Sequence, residues 1–173
     1  MQIRIIGAMS EINKGVGFKN TLPWKQKADM DRFRDITQDD GVIIMGLNTF
    51  KSFNGYVLPK RIHIVLSDVL QESTNERVIY ASNMSEAIEK GKEMVSIGKG
   101  KNIAIIGGPG VWKEGSLYAD VLTLSYIKTD DSIEFDAFFP EIDMTGWKEV
   151  KRESFEKDSV NDFDYEFVDY VRE

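Results

Sequence analysis

Short apolar runs bounded by turn residues recur along the chain, and between them apolar positions return every three or four residues. The runs Ile3 to Met9, Val42 to Met45, Ile62 to Leu66, Val78 to Tyr80, Ile103 to Ile106 and Val121 to Ile127 are rich in β-branched residues and predict buried strands. Helical spacing predicts helices over Lys27–Ile36, from Ser82 or Asn83 to about Ile97, and over Val111–Leu117. Asn48-Thr49 is expected to cap a further short helix ending at Phe53. Residues 10–21 carry Gly15, Gly17, Asn13 and Asn20 with little periodicity, which predicts a long loop. Beyond Phe135–Phe139, strands around Trp147–Phe155 and Phe163–Val171 predict a hairpin, since Phe163, Tyr165 and Phe167 alternate. The pattern implies an α/β fold, a single domain over 1–173. Its mostly parallel central sheet has helices on both faces and a C-terminal antiparallel hairpin. Ligands of such sheets bind outside the carboxyl ends of the strands, here the loops after Met9, Met45, Leu66 and Ile106.

Composition narrows the chemistry. The 173 residues, 42% hydrophobic, are enough for a substantial core. No cysteine is present, which removes thiolate catalysis and disulfides, and the lone histidine, His63, leaves no basis for a zinc site or a serine triad. His63 itself reads as packed or edge-facing. No metal is expected. No basic leader and no run of membrane-spanning length are visible, so the expectation is a cytoplasmic protein with no membrane partner. The net charge of −7 argues against nucleic acid as a partner. That charge is uneven: residues 130–173 hold 15 acidic and 5 basic side chains, against 14 and 17 in the rest. An anionic small molecule is therefore better received by the first three-quarters of the chain.

Two features can carry chemistry. In Leu22-Pro23-Trp24-Lys25-Gln26-Lys27-Ala28-Asp29, the proline fixes the entry into a helix whose first turns hold a carboxylate. Met30 and Phe33 place Asp29 on or beside an apolar stripe, where the charged form is disfavoured and the group can handle a proton near neutral pH. The alternative for such a residue is a solvated charge stabilised by the helix dipole. Further on, Gly107-Gly108-Pro109-Gly110-Val111-Trp112 and Gly46-Leu47-Asn48-Thr49 each join a strand to a helix. Glycine turns at helix starts let a backbone approach phosphates, and two of them in one sheet suggest a phosphate-bearing cofactor lying across both. A plain tight turn is the competing reading of each.

Ile6-Gly7-Ala8, Gly15-Val16-Gly17, Leu22-Pro23-Trp24, Asp29, Phe33, Met45-Gly46-x-x-Thr49, Leu58-Pro59-x-Arg61, Ile106-Gly107-Gly108 and the Tyr165/Phe167 strand together resemble dihydrofolate reductase along nearly the whole chain. The resemblance implies reduction of dihydrofolate to tetrahydrofolate by hydride transfer from NADPH, in a monomer, with Asp29 promoting protonation of the pterin N5. Leu22 would close a lid, formed by residues 10–24, on the ring junction, and Trp24 would hold ordered water beside the carboxylate. Ser125 falls where a threonine usually partners that carboxylate. The carbonyls of Ile6 and Ile106 would hold the pterin amine, with Trp112 nearby. Met30, Phe33, Phe53 and Leu58 would surround the aminobenzoyl group, and Arg61 would pair the substrate's α-carboxylate. On the cofactor side the resemblance implies Ala8, Val16, Gly17 and Asn20 near the nicotinamide. Gly46, Leu47, Asn48, Thr49, Leu66 and Ser67 would line the remainder with Gly107, Gly108, Gly110 and Val111. A cis peptide is expected between Gly107 and Gly108, and Asp136 is expected to brace the lid.

The chain departs from that family pattern at the adenosine 2′-phosphate. Leu47, Asn48 and Gly110 stand where basic residues are usual, and Asp68 follows Ser67. Weakened selectivity for NADPH and use of NADH are therefore expected, unless Lys51, Arg77 or Lys113 supplies the missing charge. Two other readings remain at this point. One is the related reductase domain of riboflavin synthesis, which is not expected to combine Trp24 and Asp29 with Leu58-Pro59-x-Arg61. The other is a low-turnover folate- or dinucleotide-binding module with a structural role.

Overall fold

Strands β1 (Ile3–Ser10), β3 (Gly41–Gly46), β4 (Ile62–Leu66), β5 (Val78–Ala81), β6 (Asn102–Gly107), β7 (Val121–Ile127), β9 (Trp147–Phe155) and β10 (Tyr165–Arg172) form the central sheet. The computed structural model describes residues 1–69 and 71–173. The strand order is β5-β4-β3-β6-β1-β7-β10-β9. All pairings from β5 to β7 are parallel, and β10 runs antiparallel to both β7 and β9, with a bulge at Asp169/Tyr170. The inner strands are apolar on both sides because helices cover both faces. On one face Ile5, Ile44, Ile64, Ile103 and Ile105 pack with Met84, Ala87 and Ile88 of α3 (Met84–Ser96) and Trp112 of α4 (Pro109–Gly115). On the other, Ile6, Ile43, Met45, Val65 and Ala104 meet Phe33 and Ile36 of α1 (Lys27–Asp40) and Phe50 of α2 (Leu47–Ser52). The α/β expectation with its C-terminal antiparallel pair holds.

Several boundaries differ from expectation, each for a local reason. Helix α1 continues past Ile36 to Asp40, because the buried Asp40 carboxylate takes the Arg4 guanidinium at 2.9 Å and has no cause to turn outward. The stop is Gly41, at φ 88°, whose N–H bonds to the Thr37 carbonyl as a left-handed C-cap. Asn48-Thr49 does not cap α2: Gly46 occupies the N-cap and the helix begins at Leu47. At α3, by contrast, the Asn83 side chain accepts from Glu86 N–H while the Glu86 carboxylate accepts from Ser82 N–H, a reciprocal start. The loop after β1 is not structureless. Within it β2 (Gly15–Gly17) pairs with β8 (Ala137–Phe138), the only part of Phe135–Phe139 that is strand. Gly15 is needed there, since a Cβ would sit 2.1 Å from the Phe135 ring.

Candidate active site

Asp29 lies in the first turn of α1, and its side chain faces β7 across the end of the sheet. Ser125 Oγ donates to Asp29 Oδ1 at 2.5 Å. The register explains how the pair meets: Ser125 lies opposite Ala8 of β1 on one side and Phe167 of β10 on the other. Burial raises the Asp29 pKa above the ordinary carboxylate value, against the lowering effects of the Ser125 hydroxyl and of Arg32. Arg32 is itself held by Asp169 at 3.0 Å and lies over the Phe167 ring. Trp24 is buried among Ile127, Tyr165 and Phe167, with its ring edge-on to Phe135. The inward stripe of α1 is Phe33, Ile36 and Thr37. Met30, one position beyond Asp29 and so about 100° round the helix, is 60% exposed. Leu22 is exposed as well.

The long loop is fastened through Asp136 at one end of the short β2–β8 ladder. Asp136 N–H donates to the Gly17 carbonyl, and the Asp136 carboxylate accepts from Lys19 N–H, both at 2.9 Å. Val16 packs toward the core, while Asn20 is exposed at φ 62°. These contacts position residues 15–21 over the carboxyl ends of β1 and β7.

On the α1–α2 side, Phe53 and Leu58 join Phe33 in one apolar cluster with Ile6 and Ile106 beneath them. Arg61 opens onto this region from a buried stem: it is 4% exposed, Nε donates to the Pro59 carbonyl at 2.9 Å, and Nη1 donates to Thr37 Oγ1 at 3.0 Å. Burial lowers its pKa from the ordinary arginine value, and Arg34 and Arg77 act in the same direction, while the only opposing group is Tyr56. No carboxylate among the described residues compensates this cation. A buried charge without a partner is costly, which suits the site to an anion from outside.

The opposite end is built from the two glycine turns. Gly107-Gly108 is a cis peptide, and a Cβ at Gly108 would meet nothing closer than Thr49 Oγ1 at 3.6 Å. Trp112 stacks near Phe139 and its indole N–H donates to the Ile6 carbonyl at 3.1 Å. Trp112 thus has a polar contact as well as an aromatic face, and the Ile6 carbonyl keeps one lone pair for another donor. A cavity of about 370 Å³ lies beside these turns. Gly46, Leu47, Leu66, Met84 and Val111 form its apolar walls, and Ser67, Ser82 and Asn83 supply hydroxyl and amide groups. Its charged lining is Asp68 and Glu114, both acidic. Asn48 and Gly110 are exposed nearby in sequence but are not part of that lining. None of the three cations that could have replaced the missing charge reaches it. Arg77 is spent on the Leu58 carbonyl at 2.8 Å, Lys113 lines a different cavity, and Lys51 is exposed in the last turn of α2. Thr37, Arg77, Glu114 and His63 contribute to the two ends of this cleft and were not legible as such in the sequence. Thr37, one helical turn after Phe33, offered the clearest signal.

A family model for dihydrofolate reductase matches residues 2–172. The chain is 36% identical over 168 residues to a dihydrofolate reductase of Buchnera aphidicola subsp. Acyrthosiphon pisum, covering 96% of this chain and 97% of that one. It is 34% identical to the Bacillus subtilis dihydrofolate reductase, with 98% and 94% covered. Among solved structures it superposes on dihydrofolate reductase from Enterococcus faecalis complexed with NADP(H) and RAB-propyl with a TM-score of 0.84, at 27% identity over 99% of this chain and 96% of that one. No helix among the described residues is long and apolar enough to cross a membrane. With the match running from end to end, the chain belongs to the dihydrofolate reductase family, a family of oxidoreductases.

Proposed function

We propose that this protein reduces 7,8-dihydrofolate to 5,6,7,8-tetrahydrofolate, acting as a monomer. The observation that carries the reading is Asp29, a carboxylate of raised pKa held by Ser125 at the carboxyl ends of the strands. When bound, the reduced nicotinamide supplies a hydride to C6 of the dihydropterin. Asp29 hydrogen-bonds the pterin and favours the proton at N5, since burial raises its pKa and with it the share of the protonated carboxyl. Trp24 and Leu22 close the ring side of the cleft, and the loop tied down by Asp136 excludes water. The Ile6 and Ile106 carbonyls orient the pterin amine, with Trp112 setting the direction of the first. Phe33, Phe53, Leu58 and Met30 flank the aminobenzoyl group, and Arg61 takes the α-carboxylate.

For the cofactor, Leu47, Leu66 and Val111 suit an adenine ring, and the Gly46 and Gly108 turns admit a pyrophosphate. The residues fit a reduced nicotinamide dinucleotide, but with an acidic lining at the adenosine end. NADPH is accepted with weakened selectivity and NADH is used appreciably.

The test is the loss of reduced-nicotinamide absorbance with dihydrofolate, for wild type and Asp29→Asn. Wild type should turn over and Asp29→Asn should lose on the order of a hundredfold or more in kcat/KM, the scale of a general-acid contribution. Equal rates would refute the role of Asp29. Absence of turnover in the wild type would favour a binding module instead.

A further inference from the structure

His63 is fully buried, and the chemistry proposed above does not use it. Its ring spans the turn between Leu58 and Arg61: Nε2 accepts from the Leu58 N–H at 3.0 Å, and Nδ1–H donates to the Arg61 carbonyl, also at 3.0 Å. A carbonyl cannot donate, so the tautomer is fixed as Nδ1–H with Nε2 unprotonated and accepting. Burial, with Arg61 and Arg77 near, holds its pKa down at about 4, so the acceptor survives across the physiological range. Arg77 fastens the same turn from the other side through the Leu58 carbonyl at 2.8 Å. Lys60, within the turn, sits at φ 62°, a conformation that side chains seldom adopt unless the surroundings impose it.

The consequence falls on Arg61. Its Nε–H is taken by Pro59 and one Nη1–H by Thr37, which leaves the terminal fork of the guanidinium as its open bidentate edge. Where that fork points depends on where the backbone of residues 58–61 is held. We propose that His63 is a positioning residue for substrate recognition: by bridging Leu58 and Arg61 it aims the Arg61 fork at a carboxylate on the substrate tail and sets Leu58 against the adjoining aromatic ring. This rests on the reading of Arg61 as the carboxylate-binding residue.

The experiment compares wild type with His63→Ala, His63→Gln, His63→Asn and Arg61→Ala on two substrates, dihydrofolate and a dihydropterin lacking the aminobenzoylglutamate tail. Thermal melts first establish that each variant is folded at the assay temperature. His63→Ala is expected to raise KM for dihydrofolate about five- to tenfold, the scale of one or two hydrogen bonds, with kcat within about twofold. KM for the truncated pterin and for the cofactor should not move. The longer amide of Gln reproduces the Nε2 acceptor and the shorter one of Asn the Nδ1 donor, so each should recover part of the loss. If Arg61→Ala raises KM for dihydrofolate but His63→Ala does not, or if His63→Ala affects both substrates alike, the positioning role is overturned. If Arg61→Ala itself leaves KM unchanged, it is the assignment of Arg61 that fails.

Discussion

At the scale of single residues, two buried titratable groups have opposite consequences for stability. Asp29 has a folded-state pKa raised by burial, so its contribution is fully present below the unfolded value of about 3.8 and is lost as pH rises through the folded one. Asp29→Asn removes that loss. It should melt at least about 2 °C above wild type at pH 8, with the gap shrinking toward pH 4; an equal gap at both pH values would contradict a desolvated carboxylate. His63 is depressed instead, to about 4, so its contribution is present above the unfolded value of 6.5 and disappears as pH falls through 4. His63→Gln should therefore flatten the acid side of the stability profile, as urea titrations at pH 7, 5.5 and 4 can show. Asp29 was legible as a candidate because a proline, a tryptophan and a helix start all converge on it. Its partner was found only through a family resemblance, since Ser125 is 96 residues away and meets it through strand register. His63 was read as packed or edge-facing, and of the two the structure shows it packed. Its two hydrogen bonds to the neighbouring turn were invisible, because a ring two residues along a strand from Arg61 gives no sign of bending back to Leu58.

Among the elements, the strands were the most readable part of the chain, since unbroken β-branched runs have few other uses. Helix ends were less so, and α1 shows why. Gln38-Asp39-Asp40 looks like a polar stop, yet Asp40 is 1% exposed and bound to Arg4, which also donates to Thr123. That pairing joins α1 to β1 and β7 and cannot be read from local composition. Removing one partner leaves a buried charge alone, so Asp40→Ala should cost about 3–5 kcal/mol in denaturant unfolding; a loss below about 1 kcal/mol would mean the pair is well solvated. The helix stop itself is equally exacting. A Cβ at Gly41 would lie 2.7 Å from the Gly100 Cα, at a φ of 88° that side chains avoid. Gly41→Ala thus combines backbone strain with a steric clash.

Across the whole molecule, the uneven charge seen in the sequence resolves into two regions with different tasks. The cleft holds a buried Arg61 with no compensating carboxylate among the described residues at one end and an acidic cavity at the other, so the two ends favour opposite charges. A charge-assisted contact is worth about 1.5–3 kcal/mol, and the acidic cavity, proposed above to take the adenosine part of the cofactor, supplies none from a cation among its lining residues. The ratio of kcat/KM for NADPH over NADH should fall well under a thousandfold and should rise in Asp68→Asn; a wild-type ratio of a thousand or more would sink this account. The acidic last quarter of the chain carries most of its carboxylates in the segments at 130–143 and 156–164, while the strand between them, β9, holds two glutamates against two lysines and an arginine. That strand closes the sheet with no further strand on its outer edge among the described residues, and every residue from Lys148 to Phe155 is exposed. An open edge is a template for a further strand from another molecule, including a partly unfolded copy of the same chain. Here Arg152 is tied to Glu149 and Glu166, and Lys151 to Glu153, so a docking strand would have to displace paired charges before its backbone could bond. What looks like idle surface is therefore protection against self-assembly into fibres, and it would be the first safeguard lost if those charges were replaced by valine or threonine.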